Sequence, residues 1–209
     1  MNTDKKTYSR LFGITAALLS AILLLVGVFF YSGYTDLQNN LLRLLVIAAS
    51  DTDADQALKL KVRDAVLLAG ATIFDGSVTA ADAQARVQPQ IADLKAAAEQ
   101  VLTANGCRDR VTVTIGREYF PERQYDTITL PPGFYQAVKV VIGAGKGHNW
   151  WCVMFPPMCL PAAEQADPAE TFTTEETDML TRPKKYQLRF KTAELIGKVI
   201  DKVKHAREK

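Results

Sequence analysis

The chain has 209 residues, a net charge of +2 from 25 basic and 23 acidic groups, and 48% apolar residues. That balance excludes a strongly basic nucleic-acid binder. The apolar share is concentrated, which excludes both an ordinary soluble chain and a multi-span one: 17 of the 21 residues from Leu11 to Tyr31 are apolar and none is charged.

A stretch of that length spans a hydrocarbon core as a helix. Lys5, Lys6 and Arg10 precede it, and no base lies between Ser32 and Leu42. The positive-inside rule therefore puts the N-terminus in the cytoplasm and the body outside. The run is longer than a signal-peptide core and lacks a small-residue cleavage site, so it reads as an uncleaved anchor, with a cleaved signal as the alternative. Outside the cytoplasm cysteines can pair. Three are present, Cys107, Cys152 and Cys159, so at least one is free or pairs with another chain.

Leu42–Ala48 is a short apolar run and predicts a buried strand. Asp53 with Gln56 resembles a capping box, opening a helix with Leu58, Val62, Ala65, Val66 and Ala69 on one face. Lys59, Lys61 and Arg63 fall on its polar side, as a solvated face. Thr79 with Asp82 starts a second helical region, in which Val87, Ile91, Leu94, Ala98 and Val101 form a buried stripe. Pro89 should kink or split it, and Asn105–Gly106 should stop it.

Val111, Val113 and Ile115 alternate with threonines as a half-buried strand. Thr127–Leu130 predicts a short edge strand, and Tyr135–Ile142 a strong one. Gly143, Gly145 and Gly147 then open a loop into HNWWCVMFPPMC. Residues 162–181 carry six acids and no base and read as a linker. Residues 182–209 carry ten bases and three acids. They predict a short strand at Tyr186, Leu188 and Phe190 and an amphipathic helix with Ile196, Val199, Ile200 and Val203 on one face.

The order is β-α-α-β-β-β, then linker and helix. This is an α+β class: a small mixed sheet with two or three packed helices, preceded by one N-terminal transmembrane or signal helix. The divisions are 1–34 (cytoplasmic N-terminus and membrane helix), 35–161 (exported domain), 162–181 (acidic linker) and 182–209 (basic tail).

Three stretches together resemble the stage II sporulation protein R family of endospore-forming bacteria. They are RLLVIAASDTDADQALKLKVRDAV (43–66), GREYFPERQYDTITLPPGFYQAVKVVIGAGKGHNWWCVMFPPMCL (116–160) and RFKTAELI (189–196). The densest string is GKGHNWWCVMFPPMC. The resemblance implies an exported signal, not an enzyme. Members leave the forespore for the space between it and the mother cell. There they act on a membrane-embedded aspartic protease of the mother cell, which then cleaves the sigma-E precursor. The chain departs from the family pattern at Leu45 and Ala49, where His and Asn are often found.

Cys152 and Cys159 enclose VMFPPM, whose two prolines turn the chain back, so a disulfide is expected; two small buried apolar residues are the alternative. Cys107 reads as a lone thiol. His148 four residues before Cys152 offers a thiol–imidazole pair, the basis of a competing reading as an exported thiol hydrolase acting on cell-wall material. His205 reads as solvated. The cysteines and histidines lack metal spacing. Gly143-x-Gly145-x-Gly147 lacks nucleotide-loop spacing. Asp51-x-Asp53-x-Asp55 lacks the glycine of a calcium loop. No cofactor, metal, nucleic acid or small-molecule substrate is expected.

Trp150 and Trp151 are adjacent, so in an extended chain one fills the core while the other can anchor a partner. Met154, Phe155, Tyr119 and Phe120 are candidates for the same apolar patch. The expected partner surface comprises Ser50, Asp51, Lys146, His148, Asn149, Trp150, Trp151 and Phe155.

Overall fold

The structure, a computed structural model, describes residues 2–74, 77, 79–125, 128–158 and 172–182, without the side chains of 2–11, 23–24, 27–32 and 175. The strand and helix expected within 183–209, and Cys159 and His205, lie outside these residues. The chain divides into Met1–Asp36 and Leu37–Lys209. The first unit is helical, within α1 (Asn2–Asn39), which carries the apolar run. Among the described residues no helix is long and apolar enough to cross a membrane.

The second unit is a mixed α+β fold, as expected. Its elements are β1 (Leu42–Ile47), α2 (Asp53–Phe74), α3 (Ala80–Val87), α4 (Ile91–Ala104), β2 (Val111–Phe120), β3 (Arg123–Tyr125), β4 (Ile128–Leu130), β5 (Gly133–Ile142), β6 (Asn149–Phe155) and α5 (Thr174–Thr181). Four strands form a sheet in the order β2-β5-β1-β6. β1 runs parallel to β5 and antiparallel to β6; β2 runs antiparallel to β5. β3 and β4 form a separate antiparallel pair.

β1 is a continuous apolar run but for one residue because both faces of the sheet are covered. Leu42, Leu44 and Val46 point to α2–α4 and join Val66, Leu94 and Leu102 in an apolar cluster. Leu45 points the other way, into a cluster with Phe120, Ile128, Leu130, Tyr135 and Leu180 under the β3–β4 hairpin and α5. Met154 and Phe120 thus lie on opposite faces and share no patch.

Local chemistry sets the helix ends. Thr79 and Asp82 form the expected reciprocal cap. At α2 the cap is Thr52, one residue earlier than expected: its hydroxyl accepts from the Asp55 amide at 3.3 Å and its carbonyl from Gln56 at 2.9 Å. Pro89 splits α3 from α4 through a 3-10 turn at Gln88–Gln90. At Gly106, with φ +70°, the Cys107 amide returns to the Leu102 carbonyl at 2.9 Å and α4 ends.

Two expectations are corrected. HNWWCVMFPPMC is not simply a loop, because Asn149–Phe155 is the edge strand β6. Residues 162–181 are not wholly a linker. Thr173 and Glu176 cap α5 reciprocally, Phe172 and Leu180 are buried, and Glu176 accepts from Asn40 Nδ2 at 2.8 Å. Two apolar anchors and one buried carboxylate dock a segment whose composition reads as solvated.

Candidate functional site

The register of β1 against β6 places Ile47 opposite Asn149, so the segment after β1 meets the segment before β6. The Lys146 amide donates to the Ala49 carbonyl at 3.2 Å, and the Gly147 amide to Ala48 at 3.0 Å. A Cβ at Gly147 would run into the Ser50 carbonyl, so the close approach requires glycine. The turn before it uses φ +54° at Gly143 and +61° at Gly145.

Asp51 closes the junction. One carboxylate oxygen accepts from the His148 amide at 2.6 Å and lies 2.5 Å from His148 Nδ1. The amide hydrogen bond, chiefly, holds the Asp51 carboxyl below its ordinary range. Ser50 Oγ donates to Asp55, and the Ser50 carbonyl accepts from Gln56 Nε2 at 2.9 Å. Lys59 is not on a solvated face. It is buried, with Nζ donating to Gln56 Oε1 at 2.5 Å and to the His148 carbonyl at 3.0 Å, and burial lowers its pKa. Arg63 is also half-buried, its guanidinium 4.5 Å from the Trp150 ring.

The structure therefore gathers Ser50, Asp51, Lys146, His148, Asn149 and Trp150 at one end of the sheet. Lys146, His148 and Asn149 are exposed, and Trp150 is 36% exposed. Trp151 turns to the opposite face and packs edge-on against Phe120, ring centroids 4.9 Å apart. Phe155 does not belong to this surface. It is half-buried at the other end of β6, edge-on to Phe74 at 5.9 Å.

Cys152 and His148 are not brought together as a catalytic pair. Cys152 is fully buried in the helix-side cluster, whereas the exposed His148 ring is bound to Asp51. Cys107 is the free thiol among the described residues. The described residues also contain no cluster of metal-ligating side chains.

Arg43 is a functional candidate missed in the sequence. It is a charge in an apolar strand, completely buried on the hairpin side. Its guanidinium carbon lies 4.1 Å from the Phe120 centroid, 4.8 Å from Tyr135 and 5.5 Å from Tyr125. Nε donates to the Cys152 carbonyl at 3.2 Å, and Nη2 donates to the Tyr125 hydroxyl. That hydroxyl donates to the Trp151 carbonyl at 3.2 Å. Nη1 has no acceptor. Desolvation lowers the Arg43 pKa and raises those of Tyr125 and Tyr135.

A family model described as stage II sporulation protein R matches residues 38–165, which hold both the Asp51–His148 junction and Arg43. The RFKTAELI stretch lies outside this match. Stage II sporulation protein R of Bacillus subtilis (strain 168) is 34% identical over 118 residues, 56% of this chain and 53% of that protein. The chain thus spans about half the length of that curated relative. No solved structure matches. With more than half its length inside the family model, the chain belongs to the stage II sporulation protein R family.

Proposed function

We propose that this chain is a non-enzymatic signal of sporulation, exported from the forespore. In this reading it acts on a membrane-embedded aspartic protease of the mother cell, and the protease cleaves the sigma-E precursor. The family match over residues 38–165 carries the reading. The apolar run in α1 supports a membrane anchor or export signal that leaves the body in the space between the two cells. A bridge between Cys152 and Cys159 belongs to the same exported setting.

The partner surface is the exposed end of the sheet: Ser50, Asp51, Lys146, His148, Asn149 and Trp150. Trp150 offers a large ring at low entropic cost, held by Arg63. Activation is a population shift, so the surface must bind the active form of the protease more tightly than the inactive form.

The test is expression of residues 35–209 behind an exported leader in a sporulating strain lacking its own copy. Restored cleavage of the sigma-E precursor is expected. A secreted, folded body that leaves the precursor uncut overturns the reading. Mass spectrometry of that body reads the cysteine pairing.

A further inference from the structure

Arg43 is a formal positive charge inside the hairpin-side core. Among the described residues no carboxylate forms an ion pair with it. Buried charges are ordinarily paired, and donors without acceptors are rare in cores. Three aromatic rings recover part of the lost hydration, but a ring face does not replace an anion. The two guanidinium bonds go to neutral oxygens, and Nη1 faces none.

Its cover is a short hairpin outside the four-stranded sheet, seated on it through the buried side chains of Ile128 and Leu130. Among the described residues β3 and β4, three residues each, ladder with each other and not with the four-stranded sheet. A polar link across is the Tyr125 hydroxyl, between Arg43 and the Trp151 carbonyl. At the rim, the exposed Arg123 of the same hairpin lies 5.7 Å from the Trp151 centroid.

We propose that Arg43 is the receiving group for a carboxylate that enters when the β3–β4 hairpin lifts. Nη1 is the donor left open for it, the three rings wall the site, and Arg123 adds a second cation at its mouth. A planar guanidinium binds a carboxylate through paired hydrogen bonds, and a desolvated pair is stronger than a surface one. The proposal rests on the signalling reading, in which the carboxylate is borne by the protease partner. Free formate has the same chemistry and serves as the probe.

The experiment uses the full chain with Arg43→Met, which keeps the length and apolar stem. In the sporulating strain the variant should accumulate to wild-type level while precursor cleavage falls at least about tenfold, as loss of one member of a buried charge pair implies. Wild-type cleavage by Arg43→Met overturns the proposal and leaves the signalling reading standing. No cleavage even by the wild-type chain overturns that reading instead.

A second measurement separates a binding role from a folding role. In the full chain in detergent, formate compared with equal chloride should speed hydrogen exchange at Arg123–Tyr125 and Ile128–Leu130 but not along β5. The effect should vanish in Arg43→Met. Unchanged hairpin exchange in formate overturns the proposal, even if Arg43→Met fails to fold.

Discussion

The two faces of the sheet are built on different principles. The face under α2–α4 is apolar and mainly aliphatic, with Leu44, Val46, Val66 and Leu94 in one cluster and a single aromatic pair, Phe74 and Phe155, among its described residues. The face under the hairpin encloses a charge, with the rings of Phe120, Tyr125 and Tyr135 around Arg43 amid aliphatic neighbours such as Leu45, Ile128 and Leu130. On the first face each side chain contributes by area and packing, so losses should be local and additive. On the second, one residue ties together β1, the hairpin and β6, so losses should couple.

Phe120→Ala is the sharpest way to break this contrast. It removes a fully buried ring from both Arg43 and Trp151, and should cost about 3–5 kcal/mol in denaturant unfolding. Leu94→Ala on the helix face should cost about 2–5 kcal/mol, with no change in the hairpin's hydrogen exchange. Equal hairpin exchange in the two variants would erase the distinction.

Tyr125→Phe is subtler. It leaves Nη2 of Arg43 without its acceptor and should cost about 1–3 kcal/mol by the same measurement. Combined with Phe120→Ala it should be non-additive, whereas Leu94→Ala with Tyr125→Phe should add. Thr79→Ala removes a reciprocal cap on the helix side and should cost about 1 kcal/mol.

The smallest effect concerns pH. The Asp51 carboxyl is held below its ordinary value, so its contribution is complete above the unfolded pKa, about 3.9. It is lost as pH falls through the depressed folded value. Loop 143–148 should therefore stay docked at neutral pH and loosen in acid below about 3.9, read from the His148 amide resonance. Asp51→Asn should weaken the acid transition without unfolding the sheet.

The helix-covered face was largely legible in the sequence. The stripe Val87, Leu94 and Ala98 and the Thr79–Asp82 cap carry their own periodicity and spacing. β6 was not legible, because Cys152, Val153 and Met154 are all buried and no alternation remains when both faces are covered. In α5 the Thr173–Glu176 cap was a readable signal, but a lone buried Leu180 gave no apolar stripe. The Asp51–His148 contact spans 97 residues and depends on strand register, which no local pattern encodes. Arg43 was visible as a charge in an apolar strand, but its ring cage comes from β2, β3 and β5 and needs the assembled sheet.

The pairing of β1 also sets a timetable. Leu44 finds Val138 on one side and Cys152 on the other, both about a hundred residues downstream. A chain that emerges N-terminus first, from a ribosome or through a membrane pore, has no partner for β1 until β5 is out at residue 142, and no second partner until β6 is out at residue 155. Local helices such as α2 and α4 can form during that interval, but the sheet cannot close. The chain therefore stays threadable for most of its passage, and the hairpin-side core, which takes in Val153, Phe172 and Leu180, closes last.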